Sequence, residues 1–198
     1  SFRWRDRLIA VEAGEPRSKE NLCVRLSRYY KSLPYPDAQE FLDALQTHAD
    51  REYTWHAIPP GLKPLRWDEI RTMRKSGLIS IGSHTYSHPI LSRCSGEVQE
   101  FEVVEAKRRI ESELDEECRF FAYPNGMSAD YNDVTKSLVA AAGYEVALTA
   151  ETGYNCPPFK NQYELRRWGG GITPAKLAYL VSGGARTLEY LRRREWRN

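Results

Sequence analysis

The sequence predicts an α/β fold built on parallel strands. Short apolar segments at 78–81, 119–123 and 144–149 predict buried strands, because each is too short for a helix and is bordered by glycine or proline. Two segments with apolar residues at helical spacing, 96–114 and 130–142, lie between these strands. Strands that alternate with helices through short connections form parallel βα units, and their carboxyl ends lie on one side of the sheet.

The length and composition fit one globular domain. A chain of 198 residues, 41% of them hydrophobic, can bury one sizeable core. The formal net charge of +2 gives no overall attraction to nucleic acid or to a membrane surface. No apolar run is long enough to span a bilayer, and no signal peptide is visible at the start. We therefore expect a single domain over 1–198, with no nucleic-acid partner and no membrane span.

Two helices are predicted near the amino terminus. Ser18 can cap the first helix, and the second begins at Asp37 with an apolar face toward the core. A proline-rich connector follows at 58–64. We interpret 1–64 as a helical insertion with its connector and 65–198 as the core. The insertion either shapes a substrate groove or forms a helical cap over the core.

Further elements are predicted on both sides of the central strands. A helix at 67–76 has acidic residues in its first turn and basic residues in its last turn, which matches the helix dipole. Residues 164–168 predict another strand, and three glycines at 169–171 then lead into a final helix at 174–181. These glycines lack the G-K-[ST] of a phosphate loop, so we interpret them as a turn. The many charges of the 96–114 helix are interpreted as a solvated face.

Two histidines follow the first predicted strand. His84 and His88 are four residues apart, so one turn of chain can direct both imidazoles at one metal ion. Thr85 follows the first of them, which excludes the H-E-x-x-H motif of helical zinc proteases. A bare H-x-x-x-H also occurs on solvated loops, so the pair alone leaves both interpretations open. His48 and His56 are interpreted as surface or packing residues.

The cysteines and the basic carboxyl terminus do not predict a second site. The four cysteines have no C-x-x-C spacing, which argues against a zinc knuckle or a redox pair. Cys156 could act as a nucleophile, but no histidine lies near it in the sequence, so we interpret it as a passive thiol. The arginines of 192–197 could bind a polyanion and are interpreted instead as a solvated helix end.

Several motifs between residues 65 and 167 resemble, in order, those of the polysaccharide deacetylase family, also called the NodB-homology family or carbohydrate esterase family four. They are LISIGSHTYSHP, FFAYPNG, AAGYEVALTAETGYN and ELRRW, and the F-A-Y-P motif is typical of one branch. The resemblance implies a distorted (β/α) barrel. It also implies a hydrolase that removes N-acetyl groups from amino sugars of a bacterial-type polysaccharide or oligosaccharide.

The resemblance implies roles for residues at the motif positions. His84 and His88 correspond to ligands of a divalent metal ion, with zinc as the first candidate and cobalt or another ion as alternatives. Tyr123 and Asn125 are expected to be catalytic, as part of a turn whose backbone N–H faces the developing oxyanion and whose aromatic ring walls the sugar pocket. Pro124 has no N–H, so Asn125 or a neighbour has to be the donor.

The resemblance also implies a catalytic arginine and a substrate-binding surface. Arg167 in ELRRW is expected to replace an arginine that orients the catalytic aspartate in other members, and it could equally be a surface residue. Tyr86, Pro124 and Trp168 are expected to bind the sugar. In the alternative of a non-catalytic member, carbohydrate would bind in an aromatic cleft around Tyr86, Tyr123, Tyr154 and Trp168.

Two features of the family pattern are missing from these 198 residues. The T-F-D-D motif, which supplies the general base and the third metal ligand, does not occur, and no histidine follows His88 to act as general acid. Asp130 and Asp133 lie near the second loop but match no motif. We therefore expect a chain without the first strand, helix and strand of the barrel, and weak or no metal binding. The alternatives are a catalytically inactive, carbohydrate-binding member and an unrelated α/β domain with a chance histidine pair.

Overall fold

The computed structural model describes residues 2–10, 18–52, 63–159, 161–169, 173–184 and 187. Its elements in chain order are β1 (Phe2–Trp4), β2 (Arg7–Ile9), α1 (Ser18–Tyr30), α2 (Tyr35–Glu52), α3 (Trp67–Lys75), a 3₁₀ turn (Leu91–Arg93), α4 (Gly96–Leu114), β3 (Phe120–Ala122), α5 (Asp133–Ala141), β4 (Val146–Leu148) and α6 (Pro174–Val181). The predicted bounds of α4 and α6 are confirmed. His56, most of the 58–64 connector, two of the three glycines at 169–171 and the arginines of 192–197 lie outside the described residues.

A short parallel sheet lies at the centre of the fold. Strands β3 and β4 pair in parallel, with Phe121 opposite Ala147. Ser83 extends this sheet on one side through a parallel bridge to Phe121, and Leu165 extends it on the other side through a parallel bridge to Leu148. The order is therefore Ser83, β3, β4 and Leu165, with all carboxyl ends at one edge, which confirms the prediction of an α/β fold with parallel strands.

The predicted strand at 78–81 is not formed. Only Ser83, just beyond it, pairs with β3, and Leu78 is 88% exposed. A strand requires hydrogen bonds between the backbone groups of successive residues and a neighbouring strand. Among the described residues, 78–81 has no such neighbour. The predicted strand at 164–168 is likewise reduced to the single bridge at Leu165.

The sheet of the described residues is open. It consists of one two-stranded ladder with a bridge on each side, so it does not close on itself. The distorted barrel expected from the sequence is therefore not confirmed, because closure requires every strand to have a neighbour on both sides.

The main core packs α4 and α5 against this sheet. Thr135 of α5 donates its hydroxyl hydrogen to Oε1 of Gln99 on α4 across 2.6 Å, and the Tyr144 hydroxyl donates to the Val103 carbonyl oxygen across 3.1 Å. Because each of these buried polar groups has a hydrogen-bond partner, its removal from water costs little free energy. The core residues are Leu91, Val103, Cys118, Phe121, Tyr123, Tyr131, Val139, Tyr144 and Ala147.

A second, smaller core lies near the amino terminus. Strands β1 and β2 form an antiparallel hairpin with Phe2 opposite Ile9, and its apolar side chains pack on Phe41 of α2. The ring of Phe41 lies 5.5 Å from the rings of Phe2 and Trp4. The sequence predicts helices in this region but not the hairpin, since three-residue strands are too short to show alternation. The division of the chain between 64 and 65 stays a prediction.

Within the described residues, no helix combines the length and the apolar character needed to cross a membrane.

Replacing Phe41 with alanine tests the amino-terminal core. Phe41 is fully buried between aromatic rings, so Phe41→Ala should lower the free energy of unfolding by about 3–5 kcal/mol. Leu42, the next residue, is 39% exposed, and Leu42→Ala should cost about 1 kcal/mol or less. Urea denaturation followed by tryptophan fluorescence measures both. Equal losses in the two variants would contradict the packing described for α2.

Candidate functional site

Both histidines of the predicted pair lie on the loop that follows Ser83 at the carboxyl edge of the sheet. The rings of His84 and His88 are 4.8 Å apart between centroids, at an interplanar angle of 74°. Ser83 donates its N–H to the Phe120 carbonyl oxygen and accepts the N–H of Ala122, at 2.8 and 2.9 Å. These bonds place the start of the loop beside β3, so the structure brings the two imidazoles together.

His84 is held in one tautomer. Its Nδ1 lies 2.7 Å from the carbonyl oxygen of Ala122. A carbonyl oxygen can only accept a hydrogen bond, so Nδ1 carries the proton and Nε2 of the neutral ring keeps its lone pair. A hydrogen bond from the second ring nitrogen to a carbonyl group is the arrangement that orients metal-binding histidines. His84 therefore has the tautomer that a metal ligand bound through Nε2 requires.

The surroundings of His84 favour its neutral form. Partial burial lowers its pKa below the usual value because desolvation penalises the charged ring, while the bond to Ala122 opposes that effect. The charges of His88 and Arg167 lower the pKa further. A histidine binds a metal ion only when it is neutral, so these effects act in the direction of metal binding.

The backbone of the loop takes two uncommon conformations. Thr85 and His88 have φ angles of 68° and 64°, in the left-handed region that residues other than glycine rarely adopt. The Thr85 hydroxyl oxygen accepts the N–H of His88 at 3.0 Å, which closes the loop on itself. The buried carboxylate of Glu102 accepts the N–H groups of Tyr86 and Ser87, at 2.8 and 2.7 Å.

Glu102 was not predicted as part of the site, because the charges of α4 were interpreted as a solvated face. The signal that could have revealed it is its spacing: Glu102 lies four residues before Ala106 and beside Val103, on the face of the helix that packs inward. A carboxylate on that face needs buried hydrogen-bond donors.

The turn after β3 lies at the same edge. Asn125 and Gly126 have φ angles of 56° and 75°, and a Cβ at Gly126 would lie 2.8 Å from the Ala150 nitrogen, so this position requires glycine. Ala150 donates its N–H to the Gly126 carbonyl oxygen at 2.8 Å, which joins the turn to the end of β4.

The side chain of Tyr123 lies in the core. It has no exposed surface, its hydroxyl donates to the Tyr163 carbonyl oxygen at 2.8 Å, and its ring stacks on Tyr131. Its ring is therefore part of the core, packed on Tyr131, and its expected role beside a sugar stays a prediction. Pro124 is also buried, and its expected contact with a sugar likewise stays a prediction.

The remaining predicted residues lie around the same edge. Arg167 donates its backbone N–H to the Glu151 carbonyl oxygen at 3.1 Å, and its charge acts on His84. Tyr86 is 55% exposed and packs on Phe101, while Trp168 is 37% exposed and contacts the ring of Tyr154.

A cavity of about 660 Å³ lies beyond β4, near its carboxyl end. It is lined mainly by polar and aromatic side chains, including Tyr131, Thr149, Glu151, Tyr154, Phe159 and Arg166. Aromatic walls with a few polar groups are typical of small-molecule sites.

The histidine loop offers ligands of the type that zinc prefers, but fewer of them than a zinc site uses. Two imidazoles are suitable ligands, and an open zinc site uses three protein ligands. No group of three or more His, Cys, Asp or Glu side chains that could hold a metal occurs in the part of the chain that the structure describes. Of the two aspartates near the second loop, Asp130 accepts the N–H of Met127, and Asp133 forms an ion pair with Lys136 at 2.8 Å.

The chain is similar to known deacetylases. Residues 32–147, more than half of the chain, match the family model described as polysaccharide deacetylase. The Streptococcus pyogenes deacetylase PplD, solved in complex with acetate, is 26% identical, with a TM-score of 0.53 over 60% of this chain and 51% of that chain.

Two further solved structures are more distant. The BpsB deacetylase domain from Bordetella bronchiseptica is 20% identical, with a TM-score of 0.47 over 59% of this chain and 55% of that chain. A polysaccharide deacetylase from Bacillus cereus is 19% identical, with a TM-score of 0.47 over 63% of this chain and 42% of that chain. The chain thus spans about half the length of these solved proteins. A search of curated proteins gave no significant match.

NMR of the metal-free chain tests the state of His84. Long-range ¹H–¹⁵N spectra should show a proton on Nδ1, and the ring should titrate below its usual pKa of 6.5. Between the two pKa values the unfolded chain binds more protons than the folded chain, so stability should rise with pH across that interval. The His84→Ala variant should lose this dependence, and His48→Ala should keep the His84 signal. A proton on Nε2 of the neutral ring would contradict the assigned tautomer.

Proposed function

Since the chain belongs to the polysaccharide deacetylase family, we propose that it hydrolyses N-acetyl groups on amino sugars of a polysaccharide or oligosaccharide, with a divalent metal ion at His84 and His88. The observation that carries this proposal is the fixed tautomer of His84, which leaves an Nε2 lone pair beside the ring of His88 at the carboxyl edge of the sheet.

The two imidazoles are the proposed metal ligands, with zinc as the first candidate and cobalt as an alternative. Such an ion, when bound, polarises a carbonyl group and lowers the pKa of its water. His84 donates from Nδ1 to the Ala122 carbonyl oxygen, so it binds through Nε2. With two ligands in the described residues, we expect these residues alone to bind zinc weakly.

The turn after β3 is the proposed oxyanion site. Pro124 has no N–H, so Asn125 is the next residue that can donate from the backbone. Oxyanion donors are effective when they are held in place before the reaction. The buried ring of Tyr123 and the bond from Ala150 to Gly126 supply that rigidity, so Tyr123 contributes as an anchor of the turn.

Arg167 is the proposed electrostatic residue of the site. Its positive charge helps to keep His84 neutral. The same charge can orient an acidic group or stabilise negative charge that develops on the substrate. Tyr86 and Trp168 offer exposed aromatic faces for the sugar, and the cavity beside Tyr154 can hold a neighbouring sugar unit.

Acetate release tests the proposed reaction. With zinc or cobalt supplied in large excess, because a site with two ligands binds the ion weakly, the chain should release acetate from N-acetylated amino-sugar oligomers. His84→Ala and His88→Ala should each lower this rate by about 100-fold or more, because each removes a metal ligand. An enzyme-coupled acetate assay measures the rate, and isothermal titration calorimetry measures zinc affinity.

The matched control for these variants is His48→Ala. His48 lies in α2 with its ring packed on Phe2 of the amino-terminal core, so its loss should leave acetate release and zinc affinity unchanged. Equal acetate release by wild type and His84→Ala would overturn the proposal. Oligomer binding without acetate release under any metal would instead support the carbohydrate-binding alternative.

A charge-removing variant tests Arg167. Arg167→Ala should lower kcat/KM for acetate release by about 100-fold, mostly through kcat, because the positive charge acts at the transition state. The pKa of His84 should rise in this variant, since a nearby positive charge is removed. The control is Arg119→Ala, which removes a surface arginine beside Glu145 at the opposite end of β3. An unchanged kcat/KM in Arg167→Ala would refute this role.

A further inference from the structure

A buried carboxylate on α4 holds the loop that carries both histidines. One oxygen of Glu102 accepts the backbone N–H groups of Tyr86 and Ser87, at 2.8 and 2.7 Å. Its other oxygen accepts the hydroxyl of Ser87. All three donors belong to the two residues near the middle of the segment from His84 to His88.

Because Glu102 is buried, its carboxylate needs these hydrogen bonds. The residue is 1% exposed, and a carboxylate removed from water is costly unless hydrogen bonds or an opposite charge replace the lost hydration. No lysine or arginine forms an ion pair with Glu102 among the residues described. The loop donors are therefore the main compensation, and charge-assisted hydrogen bonds of this kind are the stronger ones.

The loop in turn depends on Glu102. Thr85 and His88, one on each side of the bound pair, both have left-handed backbone angles that such residues avoid unless the surroundings impose them. The bonds from Glu102 fix the two residues between them. The segment therefore keeps a shape in which its first and last side chains, those of His84 and His88, face each other.

We infer that Glu102 is a positioning residue for the histidine pair: through Tyr86 and Ser87 it sets the distance and direction between the two imidazoles, and with them the affinity for a divalent metal ion. The inference rests on the proposed function for the identity of the ligand. Among the described residues Glu102 forms hydrogen bonds to Tyr86 and Ser87 and none to either histidine ring, so its effect passes through the loop. Groups that orient metal ligands in this way typically change metal affinity by about 10–100-fold when removed.

The variant Glu102→Gln tests the inference. Glutamine keeps the shape of the side chain but has one acceptor oxygen and no charge, so it cannot accept the backbone donors and the Ser87 hydroxyl in the same way. Zinc affinity, measured by NMR titration of the histidine ring signals with zinc, should fall by about 10–100-fold. In the metal-free chain, the nuclear Overhauser effect between the two histidine rings should weaken or disappear.

Val103→Ala is the matched control. Val103 is the next residue on α4 and is fully buried in the core, so the alanine variant should lose thermal stability with zinc affinity within about twofold of wild type. A Glu102→Gln variant with wild-type affinity and an intact ring-to-ring signal would overturn the inference. So would equal losses of affinity in Glu102→Gln and Val103→Ala, because the role would then be one of general stability.

Ser87→Ala decides the question if Glu102→Gln does not fold. It removes only the hydroxyl donor, so a weaker ring-to-ring signal and a several-fold loss of zinc affinity support the inference, whereas unchanged values overturn it. A failure of the proposed function can be told apart from a failure of this inference. If wild type and His84→Ala bind zinc equally, the metal site is wrong, and the ring-to-ring signal of the metal-free variants still tests the role of Glu102.

Discussion

Both backbone groups of Ala122, the last residue of β3, are used to hold the histidine loop. Its N–H binds the carbonyl oxygen of Ser83 and so completes the parallel bridge, and its carbonyl oxygen binds Nδ1 of His84. The sheet and the candidate site therefore meet at one residue. A displacement of β3 would therefore change both the pairing of the strands and the tautomer of His84. In this way a short sheet fixes the position of the candidate site.

The helices were predictable from the sequence and the sheet only in part. Helices α4 and α6 follow local spacing and turn residues, which are properties of nearby residues, and their bounds were predicted correctly. Strand formation depends on partners far along the chain, so the apolar run at 78–81 gave a false strand. The family was identified from its ordered motifs, whereas the F-A-Y-P branch and the barrel stay predictions.

The candidate site was also predictable from the sequence only in part. His84 and His88 were found because their spacing is visible in the sequence, and the structure places their rings side by side. The burial of Tyr123 was not visible, because a tyrosine in a motif can face either the core or a pocket. Glu102 was missed because a charged residue on a charged helix resembles a solvated one, and only the three-dimensional fold shows which side faces inward.

The exposed apolar residues before the histidine loop affect how the isolated chain should behave in solution. Leu78 and Ile79 remain accessible and belong to no ladder among the described residues. Exposed apolar side chains of this kind favour hydrophobic association between molecules. Self-association of the chain close to the candidate site should therefore increase with protein concentration.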